Sequence, residues 1–152
     1  MVNDHVEIAQ RYVIELLEER DLDVVSALVD DDLVLCDPLC LLEGRDALVE
    51  RLRDTTWGDV MILIEDVIAS GDRVVVRHTW QGVHQGDFYG VEATHKRVML
   101  DVVQVLTLAD GRIIEDSTYF DVYSLFEQIG ALPSVDKLAA PKRLAPVLRL
   151  VP

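Results

Sequence analysis

Three aspartates stand in surroundings that suit proton transfer: Asp37 in LVLCDPL, Asp101 in VMLDVVQVL and Asp116 in RIIEDSTYF. A carboxyl removed from water resists ionisation, so its pKa climbs toward the range useful for general acid/base work. Asp37 ends a short apolar strand and is expected to be the principal proton-transfer group; the competing role is capping the Pro38 turn through backbone amides. Asp37→Asn is accordingly expected to leave folding intact and to lower turnover at least about a hundredfold. Asp101 interrupts β-branched neighbours, a costly place for a charge unless it is paired or exposed. Asp116 shares a strand face with Ile114, Thr118 and Phe120, about 7 Å along the strand from Thr118, and serves either as an acid/base or as a rim carboxylate in water. His78 and Trp80 alternate with Val74 and Val76 and are expected to face the interior, His78 to polarise an oxygen or to serve structurally, Trp80 as pocket wall.

Other chemistries leave no pattern. His5, His78, His84 and His95 form no HxH or HxxxH pair, so no metal site is expected. GxGxxG, GxxxxGK[ST] and GxSxG are all missing, and no cofactor is expected. Cys36 and Cys40 are spaced for neither zinc nor CxxC redox work and read as thiols in a reducing compartment.

The elements that position these groups follow from periodicity. Asp4 with Glu7 suggests a capping box for a helix to about Glu19, with Val6, Ala9, Val13, Leu16 and Leu17 at helical spacing. Asp21 can cap a second helix carrying Val24, Val25, Leu28 and Val29, and Gly44-Arg45-Asp46 opens a third that ends near Asp54. Leu33 to Asp37 reads as a short strand stopped by Pro38. Strands are then expected over Val60–Ala69, Arg73–His84, Lys96–Leu108 and Arg112–Phe120, with a glycine-bearing hairpin arm between the second and third. Asp121 can cap a last helix, Val122–Ile129. Helices segregated from a meander mean an α+β fold, most economically a cone: a curved sheet closed over by helices around a cavity.

Residues 1–133 are expected to form this single domain, and residues 134–152 an arm or lid. That tail holds Lys137, Lys142, Arg143 and Arg149 against Asp136 alone, with prolines at 141, 146 and 152. The whole chain of 152 residues is 50% hydrophobic, ample for a core, and carries a net charge of −14. Such a charge disfavours nucleic acid and anionic membranes as partners. No apolar run reaches the roughly 20 residues of a membrane span, and the start lacks a secretory pattern, so a cytoplasmic location is expected. The strand 98–107 is apolar on both faces and predicts a homodimer through the outer sheet face.

The segments RDLDVVSALVDDDLVLCDP, EGRDALVERL, IASGDRVVVRHTWQGVHQGDFYGV, LTLADGRIIE and YFDVYSLFEQIGALP, in this order, resemble the SnoaL-like polyketide cyclase family of the nuclear-transport-factor-2-like superfamily. The resemblance spans residues 1–133 and implies the cone fold, but the superfamily hosts cyclases, isomerases, epoxide hydrolases and binding modules alike. It places Thr118 where the aldol-type cyclases and epoxide hydrolases carry a carboxylate, and Gln104 where the cyclases carry an assisting histidine. It also implies an Asp37/Asp101 carboxylate pair, as in polyether-type cyclases, against an outer-face position for Asp101.

The resulting expectation is an acid/base enzyme acting without cofactor on a hydrophobic, polyketide-like small molecule, by cyclisation or isomerisation. Asp37 would be aided by Asp101 or Asp116, with His78, Trp80, Gln104 and Thr118 binding substrate. The alternatives are epoxide opening with the same carboxylates, and a non-catalytic binding or dimerisation module.

Overall fold

The structure, a computed structural model, describes residues 2–134; the expected arm or lid falls, but for Ser134, outside the described residues. Helix α1 (Val2–Arg11) runs into a π-helix (Tyr12–Glu18), followed by a 3₁₀ turn (Leu22–Val24) and α2 (Val25–Leu28). Strands β1 (Val29–Cys36) and β2 (Leu41–Glu43) precede α3 (Arg45–Arg53). The meander β3 (Trp57–Ser70), β4 (Arg73–His84), β5 (Arg97–Ala109) and β6 (Arg112–Tyr119) leads to α4 (Val122–Gln128).

The six strands form one sheet in the order β2-β1-β6-β5-β4-β3. Only β1 and β6 run parallel; the other neighbours are antiparallel. Two register shifts in β3, and one between β5 and β6, bend the long strands, as bulges do. The result is an α+β fold with a curved, unclosed sheet whose concave face is covered by helices.

Most expected ends hold to within a few residues, and the departures have local causes. The first helix begins at Val2, so Asp4 lies in its first turn rather than at its cap. Beyond Arg11 the backbone widens into a π-helix, which no side-chain period announces. Asp21 and Asp121 do cap, accepting the amides of Asp23 and Ser124. β1 begins at Val29, four residues early, because pairing with β6 extends it, and β2 arises because the Asp37 turn folds Leu41–Glu43 back onto β1. The glycine-bearing arm is not a strand hairpin; it is a loop with one bridge, Phe88 to Val91.

Under the concave face Tyr12, Val13 and Leu16 pack with Leu28, Leu33, Leu48, Val74, Val76, Leu106 and Ile113. A second cluster, Val98, Leu100, Val102, Leu125 and Ile129, joins α4 to the sheet. On β4, Gly82 lies beneath the Trp80 indole: a Cβ built there would stand 2.5 Å from the ring. Gly82→Ala is therefore expected to displace Trp80 at a cost of about 1–3 kcal/mol, read as a lowered denaturation midpoint together with shifted tryptophan fluorescence.

The outer face carries Met61, Leu63, Met99 and Tyr119, each more than half exposed. Asp101 belongs to it, opposite Thr79, and is exposed. Asp101 and Gln104 sit on opposite faces because they are three positions apart, an odd step on a strand of period two.

Candidate functional site

Between the sheet's concave face and α3 lies a cavity of 740 Å³. Most of its wall is apolar, with Leu35, Leu48, Ile62, Trp80, Leu100 and Val102 among the lining side chains, and Arg20, Glu50, Arg51 and Asp54 also border it. Trp57 meets Trp80 and Phe88 edge-on, with ring centroids 5.4 and 5.3 Å apart, and Phe88 stacks toward Phe126 at 5.7 Å. Trp57, Trp80 and Phe88 line the cavity, and their edge-on contacts fix that part of its wall.

One end of the cavity is polar. His78 on β4, Gln104 on β5, and Asp116 and Thr118 on β6 all line it. Their convergence is a consequence of register: Gln104 pairs with both Val76 and Thr118, and each of the four points to the concave side. Asp116 is almost fully buried. Its Oδ2 accepts from the Tyr12 hydroxyl at 2.8 Å and from Gln104 Nε2 at 2.9 Å, while its Oδ1 accepts from Thr118 Oγ1 at 2.8 Å.

Because Gln104 spends its amide N–H on Asp116, its Oε1 is free to accept, and His78 Nε2 lies 2.9 Å away. That contact assigns the proton of the neutral ring to Nε2 and leaves Nδ1 as a lone pair, buried and unpartnered among the described residues. Burial holds His78 below its ordinary pKa, against the opposing pull of Gln104 and Glu65. Burial lifts the Asp116 carboxyl above the usual carboxylate range, although Tyr12, Thr118, Gln104 and the more distant Arg51 charge all favour its anion. Burial, then Asp116 itself, drives the Tyr12 hydroxyl well above the ordinary tyrosine value, so it remains a donor.

Asp37 departs from expectation. It does not line the cavity; its Oδ2 lies 2.7 Å from the Arg51 guanidinium, and its Oδ1 accepts the amides of Leu39 and Cys40. Burial alone would raise its pKa, but Arg51 and the two amides outweigh burial and lower it. The turn-capping role is the observed one. Asp101, on the opposite side of the sheet, faces neither Asp37 nor the cavity, so the carboxylate pair is not formed. Among the described residues no group of three His, Cys, Asp or Glu side chains is placed to hold a metal ion.

Comparison with known proteins agrees with this architecture. The model of the SnoaL-like polyketide cyclase family matches residues 7–129. The chain belongs to that family. A protein from Jannaschia sp. CCS1 assigned to the SnoaL-like polyketide cyclases superposes with a TM-score of 0.78 at 25% identity, over 86% of this chain and 94% of that one. TsrD from Streptomyces laurentii gives 0.75 at 21%, over 84% and 96%. An LEH-like epoxide hydrolase from M. tuberculosis gives 0.69 at 24%, over 84% and 86%. No curated protein matches. SnoaL-like members are polyketide cyclases, and this supports an enzyme of that type.

In this SnoaL-like chain Thr118 occupies the strand position where a carboxylate was expected, and it contributes a hydroxyl to the carboxylate two residues earlier. Tyr12 and Arg51 are the site residues that the sequence alone did not single out. Tyr12 had a signal: it is the one hydroxyl on an apolar helical stripe with Ala9, Val13 and Leu16, and a buried hydroxyl needs a partner. Arg51 had none, since its partner lies on a turn before the helix.

Tyr12→Phe removes one donor from the Asp116 anion while keeping the ring that fills the core. The Asp116 pKa is expected to rise further, seen as an upward displacement of its carboxyl ¹³C titration midpoint in the NMR spectrum. An unchanged midpoint would remove Tyr12 from the control of this group.

Proposed function

We propose that the chain catalyses proton transfer in a hydrophobic, polyketide-like small molecule, leading to ring closure or isomerisation, with Asp116 as acid/base. The observation that carries this reading is a fully buried carboxyl, raised in pKa, set among Tyr12, Gln104 and Thr118 where the cavity meets the sheet. Oδ2 is held by two donors and fixes the carboxylate plane; Oδ1 has one protein donor and keeps a lone pair for the substrate. Asp116 takes a proton from carbon beside a carbonyl and returns it at another position or to the cyclised product. Gln104 fixes the base, and the neutral His78 adds no charge that would lower its basicity. The apolar walls exclude water and hold the substrate in one orientation.

One carboxyl at the polar end suits a reaction in which the same group accepts and returns the proton. Epoxide opening asks for a base on the nucleophile and a separate acid on the epoxide oxygen. A hydrophobic aromatic β-diketone incubated with the protein in D₂O is expected to exchange its α-hydrogen faster than in buffer, and Asp116→Asn to abolish the excess. Exchange equal to buffer, with ¹⁸O from labelled water entering an epoxide-derived product, would replace this reading by the hydrolytic one.

A further inference from the structure

Arg51 is the feature of the cavity that this mechanism leaves unused. It projects from the last turn of α3 and lines the cavity, whereas its partner Asp37 stands behind it, outside the lining. One terminal nitrogen bonds Asp37 Oδ2 at 2.7 Å; the other points at the Cys40 thiol at 3.0 Å. A neutral thiol is a weak acceptor, and burial together with Asp37 keeps Cys40 protonated by raising its pKa. Of the five guanidinium N–H groups, only these two contacts are made among the described residues, so donors remain for a better acceptor. The cavity's other cation, Arg20, is differently employed, with both terminal nitrogens on the carbonyl oxygens of Asp54 and Trp57. Two further acids, Glu50 and Asp54, also line the cavity. Arg51 and Asp116 line the same cavity, and the Arg51 charge favours the Asp116 anion.

We infer that Arg51 is the oxyanion-stabilising residue of this site, donating to the substrate oxygen that becomes negative when Asp116 removes the neighbouring proton, with Asp37 as its positioning residue. The inference rests on the reading of Asp116 as base and narrows the substrate to a carbon acid activated by a carbonyl. As Asp116 Oδ1 takes the proton, the C–H electron pair forms the C=C bond and the carbonyl π pair moves onto oxygen, where an Arg51 N–H meets it. The enolate carbon then attacks a second carbonyl carbon of the same molecule, whose π pair moves to its oxygen and takes the proton from Asp116 as the ring closes, or the enolate carbon itself takes that proton back. No other reagent is required.

The probe is 4-nitro-1-naphthol, whose visible absorbance reports its ionisation and whose oxyanion resembles an enolate. Asp116→Asn in the full chain keeps the polar end uncharged. In that variant the bound dye is expected to half-ionise at a pH about 1 or more below its value in buffer, because a cation meets the oxyanion. In Asp116→Asn/Arg51→Met the drop is expected to vanish while the un-ionised dye still binds. Should Arg51→Met disturb folding by leaving Asp37 unpaired, Asp116→Asn/Arg51→Met/Asp37→Asn removes both charges and carries the same expectation. A purely structural Arg51 leaves the dye's ionisation equal in all variants, and that result overturns the inference while sparing Asp116 and the cavity. Failure of the dye to bind any variant would overturn the apolar binding cavity, and this inference with it.

Discussion

Asp116→Asn is expected to lower turnover by about 10²–10⁴-fold, the range associated with removing a positioned acid/base. The substitution can preserve the local geometry. The amide oxygen, set in the place of Oδ2, accepts from Tyr12 and Gln104; the amide nitrogen, set in the place of Oδ1, donates to Thr118, whose hydroxyl proton turns away. The loss therefore belongs to the proton-transfer step and not to folding. The Asp116 pKa is raised in the folded state, so above the unfolded carboxyl range the native protein retains a proton that the unfolded chain has lost. Stability then falls as pH rises from about 4 through the raised value, and the asparagine variant escapes this loss. Denaturant midpoints should converge for the two proteins in acid and favour the variant near neutrality. A variant retaining full turnover on a competent substrate would remove Asp116 from the chemistry.

Asp37→Asn has the opposite character. Asp37 is almost completely enclosed, pairs with a half-exposed Arg51, and holds two turn amides. Losing the charge is expected to destabilise the fold by about 2 kcal/mol at neutral pH, a value moderated by solvent around the guanidinium. Its pKa is lowered on folding, so the stabilisation is full above the unfolded carboxyl range and is lost as pH falls through the folded value. Wild type and variant should thus approach one another below about pH 4 in urea titrations. The hundredfold loss of turnover expected from the sequence, with folding untouched, is replaced by a stability loss. Any fall in turnover would come through a loosened Arg51.

The contrast between the two aspartates shows what a sequence can convey here. Alternation along Arg73–His84 placed His78 and Trp80 inside, and the same rule put Asp116 with Thr118 and separated Asp101 from Gln104. Those statements need only the two-residue period of a strand. Weighing Asp37 against Asp116 needs the identity of whatever lies across the fold. Arg51 stands beside one carboxylate and the Tyr12 hydroxyl beside the other, the latter 104 positions away. Asp37 looked enclosed in apolar sequence, and it is enclosed, but with a cation. The resemblance directed attention to Thr118, which does line the cavity, while the carboxyl that lines it on the same strand, Asp116, stands two residues earlier. The π-helix and the β1–β6 pairing were illegible for the same reason, since neither repeats a local pattern.

That parallel pairing of β1 with β6 has a kinetic consequence. The hairpins β3–β4, β4–β5 and β5–β6 join near neighbours and can zip sequentially, whereas β1 must find a strand near the far end of the chain, Val34 meeting Glu115. Such distant contacts close slowly. Asp116 sits on this seam, paired with Leu35 on one side and Leu106 on the other, and is reached there by Tyr12 from the amino-terminal helix. The acid is therefore completed in the final act of assembly: a refolding chain should recover its meander, by amide protection, before it regains any capacity to bind or turn over a ligand.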